Sequence, residues 1–437
     1  MTPLLDNYFA RLARRQPWQW QGRVLEAVGQ TIESAGPLAS VGECCRIVDR
    51  FGGEHRAEVI GFRGHHILTM PVESTDGVRY GDAVLALGEQ PEIEVGASLV
   101  GRVLNALGEP MDGGRPLKTT ERRNLEGEVR APLERSPIRT PLGTGIRALD
   151  ALLTVGRGQR VGIFGGSGVG KSTLIGMMTR NTEADITVVG LVGERGREVG
   201  EFLEDALGEE GRARSVVVVS TSDQSPLLRL RAALAATAVA ESFAAQGKHV
   251  LLVLDSLTRF AMAAREIGLA AGEPPTAKGY TPSVFSRLAK IIERTGNFNT
   301  GSITAFYTVL MEGDDQQDPL VDAVRSLLDG HVVLSRSLAS EGWYPPIQVL
   351  DSVSRLMPAV TEPGHREQAA LLRRLMAVYA RSEDLVRIGV YRPGADPELD
   401  RALRAREAMR GFLTQDAAAR VRFSDAVRGL ATLAREV

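Results

Sequence analysis

The sequence predicts an α/β protein with a parallel sheet at its centre, a small β-rich region before it and a helical region after it. From about residue 160, short apolar runs alternate with helical segments, which is the rhythm of βαβ units. The run His249–Leu254 is mostly apolar, as strands buried on both faces of a parallel sheet are. Between Gly22 and about Val95, short β-type runs are separated by Gly-rich turns, which predicts a small barrel. A chain of 437 residues is long enough for two or three such domains.

Each region contains a definite set of predicted elements. The barrel strands are predicted at Arg23–Val28, Cys44–Val48, Ala57–Gly61, His66–Met70 and Ala83–Leu87. A polar, proline-punctuated linker is predicted at Arg115–Leu142. The central region has, in order, strand Arg160–Phe164, a helix from Lys171, strand Ile186–Val192, a helix from Glu198, strand Ser215–Ser220, helix Leu227–Gln246 and strand His249–Leu254. After about Thr361 the predicted helices are His365–Ser382, Pro397–Phe412 and Asp416–Arg435.

The first residues of the chain form a short amphipathic pattern. Apolar side chains recur at helical spacing from Leu4 to Leu12, and the pattern ends before Pro17. The apolar face of this predicted helix can pack on the helix's own domain or dock on a partner, and the sequence leaves both interpretations open.

Composition and charge exclude several classes of protein. Hydrophobic residues make up 43% and charged residues 24%, the balance of a soluble globular chain, and the net charge is −2. A globally basic nucleic-acid binder is therefore not indicated. The two cysteines, Cys44 and Cys45, are adjacent and poorly placed to pair with each other, so we expect them to pack in the barrel of a cytoplasmic protein. His65 and His66 have no cluster of metal-ligating residues around them, so we expect them to be solvated or packed.

Residues 165–172 carry the strongest chemical signal. They match the pattern G-x-x-x-x-G-K-[ST], follow a predicted strand and open a predicted helix. Glycines let the backbone wrap around phosphate oxygens, and the helix N-terminus adds positive potential there. Lys171 can reach the β- and γ-phosphates, and the Ser172 hydroxyl can ligate Mg²⁺, so the segment predicts a site for Mg-ATP. The predicted nucleotide-binding residues of this loop are Gly165, Gly166, Ser167, Gly168, Val169, Gly170, Lys171, Ser172 and Thr173.

Two acidic residues end apolar strands of the same predicted sheet. Asp255 follows an apolar run, and in a parallel sheet such an Asp lies beside the phosphate-binding loop (P-loop, 165–172), where we expect it to hold Mg²⁺ through a water. Glu194 follows Ile186–Val192 on the phosphate side and can orient or deprotonate an attacking water. Glu198 falls at the start of the next helix, where a carboxylate satisfies the helix terminus. These residues predict ATP hydrolysis at the β–γ bond.

Four further motifs make the chain resemble the α/β-type subunits of rotary ATPases. They are Gly-Glu-Arg at 193–195, Asp-Ser-Leu-Thr-Arg-Phe at 255–260, Trp-Tyr-Pro-Pro at 343–346 and Ser-Val-Ser-Arg at 352–355. Within that family, the chain looks most similar to the flagellar protein export ATPases and their type III secretion relatives. The resemblance extends from about residue 20 to the end and is most specific from Ala131 to Ala359.

The resemblance implies roles for individual residues. Glu194 is like the glutamate that orients the attacking water, and Arg195 matches an arginine near the γ-phosphate. Arg355 resembles the arginine finger that a neighbouring subunit inserts, and Tyr344 is similar to the aromatic residue that stacks on adenine. Gln348 departs from the Asp or Asn usual in the family, at a position outside the chemistry. The implied catalytic residues are Glu194, Lys171, Arg195 and Arg355, and the implied metal ligands are Ser172 and Asp255.

The resemblance also implies an architecture and a set of partners. It implies an N-terminal partner-docking helix (1–18), a β-barrel (19–95), a RecA-like ATPase domain (96–360) and a C-terminal helical domain (361–437). The family works as a homohexameric ring around a central coiled-coil stalk, with active sites at subunit interfaces. The implied partners are a FliH-like regulator dimer at the N-terminus, a membrane export gate, and export substrates with their chaperones. The implied location is the cytoplasm, in peripheral association with the inner-membrane export apparatus.

Three classes of protein are alternatives to a homo-oligomeric export ATPase. A non-catalytic subunit of a mixed ring is disfavoured because Glu194 and Arg355 occur on one chain. An ATP synthase β subunit is disfavoured because Arg381–Leu385 stands where such subunits carry a long acidic run. A single-strand RNA translocase would need aromatic and basic residues interleaved on the barrel, and residues 22–95 contain few aromatics. We therefore predict no nucleic-acid partner. The choice between flagellar and virulence-type secretion stays open.

Overall fold

Three regions follow one another in the computed structural model, which describes residues 20–119, 121–311 and 318–437. They are a closed β-barrel, a mainly parallel sheet flanked by helices, and a set of C-terminal helices. The predicted fold class is therefore confirmed, whereas the exact domain boundaries remain a prediction. The amphipathic helix predicted at residues 1–18 lies outside the described residues.

The barrel is closed by antiparallel pairing of β1 to β6 in the order β1-β2-β5-β4-β3-β6. Its strands are β1 (Gln21–Val28), β2 (Thr31–Ala35), β3 (Cys44–Val48), β4 (Glu54–Arg63), β5 (His66–Pro71) and β6 (Ala83–Ala86). Strand β2 was not predicted, because its segment contains only one large apolar residue, Ile32. That residue is fully buried and packs with Val24, Ile47 and the thiol-bearing Cys45 inside the barrel. The alternation of buried and exposed residues along β2 is nevertheless that of a half-buried strand.

The remaining strands build the central sheet and its attachments. They are β7 (Glu92–Val95), β8 (Val103–Asn105), β9 (Glu121–Asn124), β10 (Pro141–Leu142), β11 (Val155–Gly156), β12 (Arg160–Gly165), β13 (Ile186–Glu194), β14 (Ser215–Thr221), β15 (His249–Asp255), β16 (Gly296–Asn297), β17 (Ser302–Leu310), β18 (Gly330–Val333) and β19 (Val353–Ser354). The sheet order is β19-β18-β12-β17-β15-β13-β14-β8, and its strands are parallel except for the edge strand β19, while β16 pairs antiparallel with β17. The linker predicted at Arg115–Leu142 is not entirely irregular, because it contains β9, which pairs with β7, and β10, which pairs with β11.

Helices cover the central sheet and form the C-terminal region. They are α1 (Arg147–Leu152), α2 (Lys171–Asn181), α3 (Gly196–Glu201), α4 (Gly208–Ala213), α5 (Pro226–Ala245), α6 (Leu257–Ala270), α7 (Pro282–Glu293), α8 (Pro319–Leu327), α9 (Arg336–Ser340), α10 (Met357–Val360), α11 (Pro363–Arg387), α12 (Pro397–Leu413) and α13 (Phe423–Glu436). A π-helical turn, Phe202–Leu207, joins α3 to α4. In the described ranges, no helix has the length and apolarity needed to cross a membrane.

The last helix begins later than predicted. The sequence suggested a start at Asp416, but α13 starts at Phe423. The Asp416 carboxylate accepts a hydrogen bond from the backbone N–H of Ala418 at 2.7 Å, and the Asp416 carbonyl accepts one from Ala419 at 3.0 Å. Asp favours such local turns over helix interiors, so the segment before α13 is a loop.

A buried ion pair joins the segment after β9 to two helices of the core. Arg294, at the end of α7, is 1% exposed and binds both carboxylate oxygens of Glu241 on α5 at 2.8 Å. Its third contact is a hydrogen bond to the carbonyl of Leu125 at 2.6 Å. A buried charge is tolerated only when its partners satisfy it in this way, so the three segments depend on one another.

We predict that Arg294→Met destabilises the protein by roughly 3–5 kcal/mol, because it leaves the Glu241 carboxylate without its buried partner. Lys290→Met, which removes an exposed ion pair with Glu126 from the same helix, should cost less than about 1 kcal/mol. Urea unfolding followed by circular dichroism measures both. Equal effects of the two variants would contradict the role of the buried pair.

Candidate active site

The P-loop runs from the carboxyl end of β12, an interior strand of the sheet, to the start of α2. Gly168 and Gly170 have φ values of +76° and +87°, a region that residues with a Cβ rarely adopt. Lys171 is buried, and its ammonium group donates hydrogen bonds to the carbonyls of Gly165 at 3.1 Å and Gly166 at 3.2 Å. The loop therefore holds a cation at the point where α2 presents its N-terminal N–H groups.

Asp255 ends β15, which β17 separates from the P-loop strand β12. The Thr308 hydroxyl on β17 donates to one Asp255 carboxylate oxygen at 2.6 Å, and this contact fixes the orientation of the carboxylate. Burial raises the pKa of Asp255, while the hydrogen bond from Thr308 and the charge of Lys171 oppose that rise. Sequence reasoning predicted the place of Asp255 but not the supporting Thr308.

Glu194 ends β13 and is paired with a second carboxyl group. Burial, the charge of Asp255 and the interaction with Glu198 raise the pKa of Glu194 to about 8, and Arg259 opposes that rise. The hydrogen bond from Glu194 lowers the pKa of Glu198. Near neutral pH the pair therefore holds one proton. It resides on Glu194, which donates it in the hydrogen bond to Glu198. Glu198 does lie in the first turn of α3, as predicted, but it also serves as this hydrogen-bond partner.

Most predicted site residues line one cavity of about 840 Å³ between the P-loop, the ends of β13 and β15, and α6. The predicted residues in its wall are Ser167, Gly168, Gly170, Lys171, Ser172, Thr173, Glu194, Arg195 and Asp255. Four arginines that sequence reasoning had not proposed, Arg259, Arg197, Arg265 and Arg336, also line it. The spacing of Arg259 after Asp255, one turn into a helix capped by Ser256, was a signal that could have found the first of them. The cavity thus combines acidic groups with several cations.

Tyr344 lies outside that cavity wall but close to the P-loop. A Cβ built on Gly170 would be 3.6 Å from Cε1 of the Tyr344 ring. The residue is 45% exposed, so part of the ring can meet a ligand. This position fits an aromatic group beside the base of a nucleotide whose phosphates occupy the P-loop.

Arg355 is not brought to the cavity of its own chain. It is exposed and follows the edge strand β19, and its N–H binds the carbonyl of Asp329, just before β18 begins. The residue therefore lies at the amino ends of the parallel strands, whereas the P-loop and Glu194 lie at the carboxyl ends. Five strand intervals separate β19 from β13, about 24 Å across the sheet.

Two serines hold the segment that presents Arg355. The buried Ser352 hydroxyl donates to the carbonyl of Gln348 at 2.6 Å and accepts from the N–H of Val333 at 2.9 Å. The Ser354 hydroxyl donates to the carbonyl of Thr154 at 2.7 Å. The Ser-Val-Ser-Arg motif is thus fastened at alternate positions, while Arg355 is exposed.

The residues beside the P-loop suit Mg²⁺. Ser172 is exposed in the first turn of α2, and Asp255 has one oxygen engaged with Thr308. Across the described residues, no group of three His, Cys, Asp or Glu side chains forms a self-sufficient metal site. Mg²⁺ commonly takes one or two protein ligands and completes its shell with water and phosphate oxygens, so this sparse donor set fits the ion.

The comparisons with known proteins agree with this geometry. The profile of the ATP synthase alpha/beta family, nucleotide-binding domain, matches residues 145–354, its β-barrel domain matches 24–88, and a T3SS EscN ATPase C-terminal domain matches 361–432. The flagellum-specific ATP synthase of Treponema pallidum is 52% identical over 98% of this chain and 96% of its own length. The chain belongs to the ATP synthase alpha/beta family. It is therefore an ATPase.

Solved structures of the type III secretion ATPase EscN from enteropathogenic E. coli are also similar to this chain. The assembled ATPase superposes with a TM-score of 0.90 at 42% identity, covering 94% of this chain and 100% of that one. EscN in complex with its central stalk EscO gives a TM-score of 0.87, with the same identity and coverage. The barrel, the central sheet and the C-terminal helices thus have counterparts in one related ATPase.

We predict that Glu194→Gln stabilises the nucleotide-free protein at alkaline pH. A carboxyl whose pKa rises from 4.5 to about 8 on folding stabilises the fold below about pH 4.5, and that contribution is lost as pH increases towards 8. The amide can still donate to Glu198 and has no such pH dependence. The unfolding temperature of the variant should exceed that of the wild type by roughly 1–3 °C at pH 9, with a smaller difference at pH 5.

The matched control is Glu209→Gln, which removes an exposed carboxylate from the nearby α4. Thermal unfolding followed at both pH values should show no pH-dependent gain for this variant. A gain at pH 5 as large as that at pH 9 for Glu194→Gln would contradict the shared-proton arrangement.

Proposed function

We propose that this protein is an ATP hydrolase that energises flagellar, type III protein export and works as a homohexameric ring with active sites at subunit interfaces. The observation that carries the proposal is the separation of Glu194 from Arg355 on the two ends of one sheet. A site that needs both residues is complete only where two copies of the chain meet. The Treponema relative supports the flagellar assignment by its name, flagellum-specific ATP synthase.

The binding step uses the P-loop and its surroundings. Backbone N–H groups of residues 165–173 and the Lys171 ammonium bind the phosphates, and Tyr344 stacks on adenine. Ser172 and Asp255 would hold Mg²⁺, the first directly and the second through water. The ion, when bound, neutralises charge on the phosphate oxygens.

The hydrolytic step uses the carboxyl pair. Glu194 in its deprotonated form orients the attacking water and takes its proton, and Glu198 is the hydrogen-bond partner that stabilises the protonated form of Glu194. Arg195, exposed at the mouth of the cavity, pairs with Glu198 at 3.2 Å and can turn towards the γ-phosphate. Arg259 lines the same cavity and contributes positive charge near Glu194.

The neighbouring subunit supplies a side chain that stabilises the transition state. Its Arg355 places a guanidinium against the γ-phosphate, where charge develops, and such fingers increase rates by roughly 10³-fold or more. A planar, bidentate donor suits phosphate oxygens better than an ammonium group. The solved EscN structure is described as an assembled ATPase, which supports a ring for this chain too.

The proposed partners follow from the same relatives. EscN is found in complex with its central stalk EscO, and we propose a corresponding coiled-coil stalk here. We also propose a FliH-like regulator at residues 1–18, a membrane export gate, and export substrates with their chaperones. The proposed location is the cytoplasmic side of the inner-membrane export apparatus. The EscN C-terminal match also supports a second candidate, a virulence-type III secretion ATPase.

Mixing two inactive variants tests the shared site. Glu194→Gln and Arg355→Ala should each lose at least about 99% of turnover, because each removes a group needed in every site. In a random 1:1 ring, about a quarter of the interfaces receive Glu194 from one chain and Arg355 from the other, so ATPase activity should return on mixing.

The mixture must be shown to co-assemble by analytical ultracentrifugation. Arg355→Lys on its own should be nearly as inactive as Arg355→Ala, because the lysine lacks the guanidinium geometry, and mixed with Glu194→Gln it should recover a similar activity, because the restored interfaces take Arg355 from the Glu194→Gln chain. A co-assembled mixture without recovery, together with wild-type specific activity that does not rise with protein concentration, would contradict the proposal.

Secretion by the native organism tests the export role. Cells that carry Glu194→Gln in place of the wild-type chain should retain hook and filament proteins in the cytoplasm, while Glu209→Gln should export them normally. Immunoblots of culture supernatants measure this. Normal flagellar export with loss of needle-complex secretion would favour the virulence-type candidate instead.

A further inference from the structure

The first part of the loop between α12 and α13, Thr414–Ala419, connects the C-terminal helices to the nucleotide-binding core. Arg180, near the end of the P-loop helix α2, donates from Nη2 to the carbonyl of Ala417 at 2.7 Å. Arg147, the first residue of α1, donates from Nη2 to the carbonyl of Thr414 at 2.6 Å. This loop is therefore fastened to the ATPase core from two directions.

Gln415 is the residue at which these connections converge. It is 3% exposed, and its Oε1 accepts a hydrogen bond from the N–H of Arg147 at 2.9 Å. Its Nε2 donates to the carbonyls of Gly145 at 2.8 Å and Ala419 at 3.3 Å. Its backbone N–H donates to the carbonyl of Tyr344 at 2.8 Å. The Gln415 side chain thus forms hydrogen bonds with Gly145 and Arg147 of the core and with its own loop. The Gln415 backbone N–H binds the carbonyl of Tyr344, the aromatic residue beside the P-loop.

A second cavity lies next to this loop. It has a volume of about 390 Å³, and its wall includes Ser172 and Thr173 of the P-loop helix, Phe202, and Ala417 of the loop. Because Ala417 lies in its wall, the position of the loop determines the shape of the space beside the P-loop. Tyr344, whose carbonyl accepts the hydrogen bond from the Gln415 backbone, lies close to Gly170 of the P-loop.

We propose that Gln415 is a positioning residue for nucleobase binding, which fixes Tyr344 and the Thr414–Ala419 loop against the P-loop. The proposal rests on the proposed role of Tyr344 in stacking on adenine. Gln415 does not line the cavity at the P-loop, so its contribution applies to the base and not to the triphosphate. The C-terminal helical domain thereby takes part in setting affinity for ATP.

The test compares a ligand that has a base with one that lacks it. Titration calorimetry with Mg-ATP and with Mg-tripolyphosphate measures both affinities on the full chain. Gln415→Met keeps the volume and the backbone hydrogen bond to Tyr344 but removes the side-chain hydrogen bonds that position this backbone, and it should weaken ATP binding by about five- to tenfold. The affinity for tripolyphosphate should change by less than about twofold, because the P-loop contacts remain.

The matched control is Arg410→Ala on α12, which removes another hydrogen bond from the C-terminal domain to the core, to the carbonyl of Glu341 at 3.2 Å. It should leave both affinities unchanged. Tyr344→Ala should reduce the affinity for ATP only, and the double variant Tyr344→Ala/Gln415→Met should be no weaker than Tyr344→Ala, because Gln415 acts through Tyr344. Gln415→Glu, which keeps the acceptor for Arg147, serves if the Met variant does not fold, and it should show a smaller loss.

Three outcomes overturn the proposal: unchanged ATP affinity in Gln415→Met, an equal loss of ATP and tripolyphosphate affinity, or additive effects in the double variant. Unchanged ATP affinity in Tyr344→Ala would instead overturn the proposed base contact of Tyr344. The ATPase function and the shared site would survive each of these results, because neither depends on Gln415.

Discussion

The carboxyl edge of the parallel sheet is the constraint on which the site depends. Parallel strands end on the same side, so the P-loop after β12, Asp255 after β15 and Glu194 after β13 reach one space although they are far apart in sequence. The α2 N-terminus opens at that edge and supplies N–H groups and positive potential. A phosphate site therefore follows from strand direction and order, and the side chains only refine it.

Burial gives that edge its chemistry. Asp255 and Glu194 are both partly or wholly removed from water, and both have raised pKa values for that reason. Thr308 holds the first carboxylate, and Glu198 shares a proton with the second. Such a cluster of partly buried acidic and basic groups lowers the free energy of unfolding, and proteins retain such clusters at sites that bind or transfer charged groups.

The amino ends of the same parallel strands carry the proposed arginine finger. Arg355 follows the short edge strand β19, which two serines anchor to the core while the arginine stays exposed. A chain with its acid at one end of the sheet and its proposed arginine finger at the other cannot bring them together by side-chain rotation. The fold itself thus favours a site divided between copies of the chain. The Gln415 hydrogen bonds connect the C-terminal helices to Tyr344 beside the same site.

The sequence by itself determined the P-loop, the acidic strand ends and the order of barrel, sheet and helices, because these depend on short local patterns such as 165–172 and on hydrophobic periodicity. Strand β2 was not predicted, because its burial comes from closure of the barrel and Ile32 is the one large apolar residue in its segment. The tertiary structure alone decided that Thr308 supports Asp255, that Glu198 pairs with Glu194, that Arg336 faces the P-loop, and that Gln415 reaches Tyr344. Each of these contacts joins residues from separate elements, and their proximity is fixed by strand order and helix packing, which local sequence patterns do not encode.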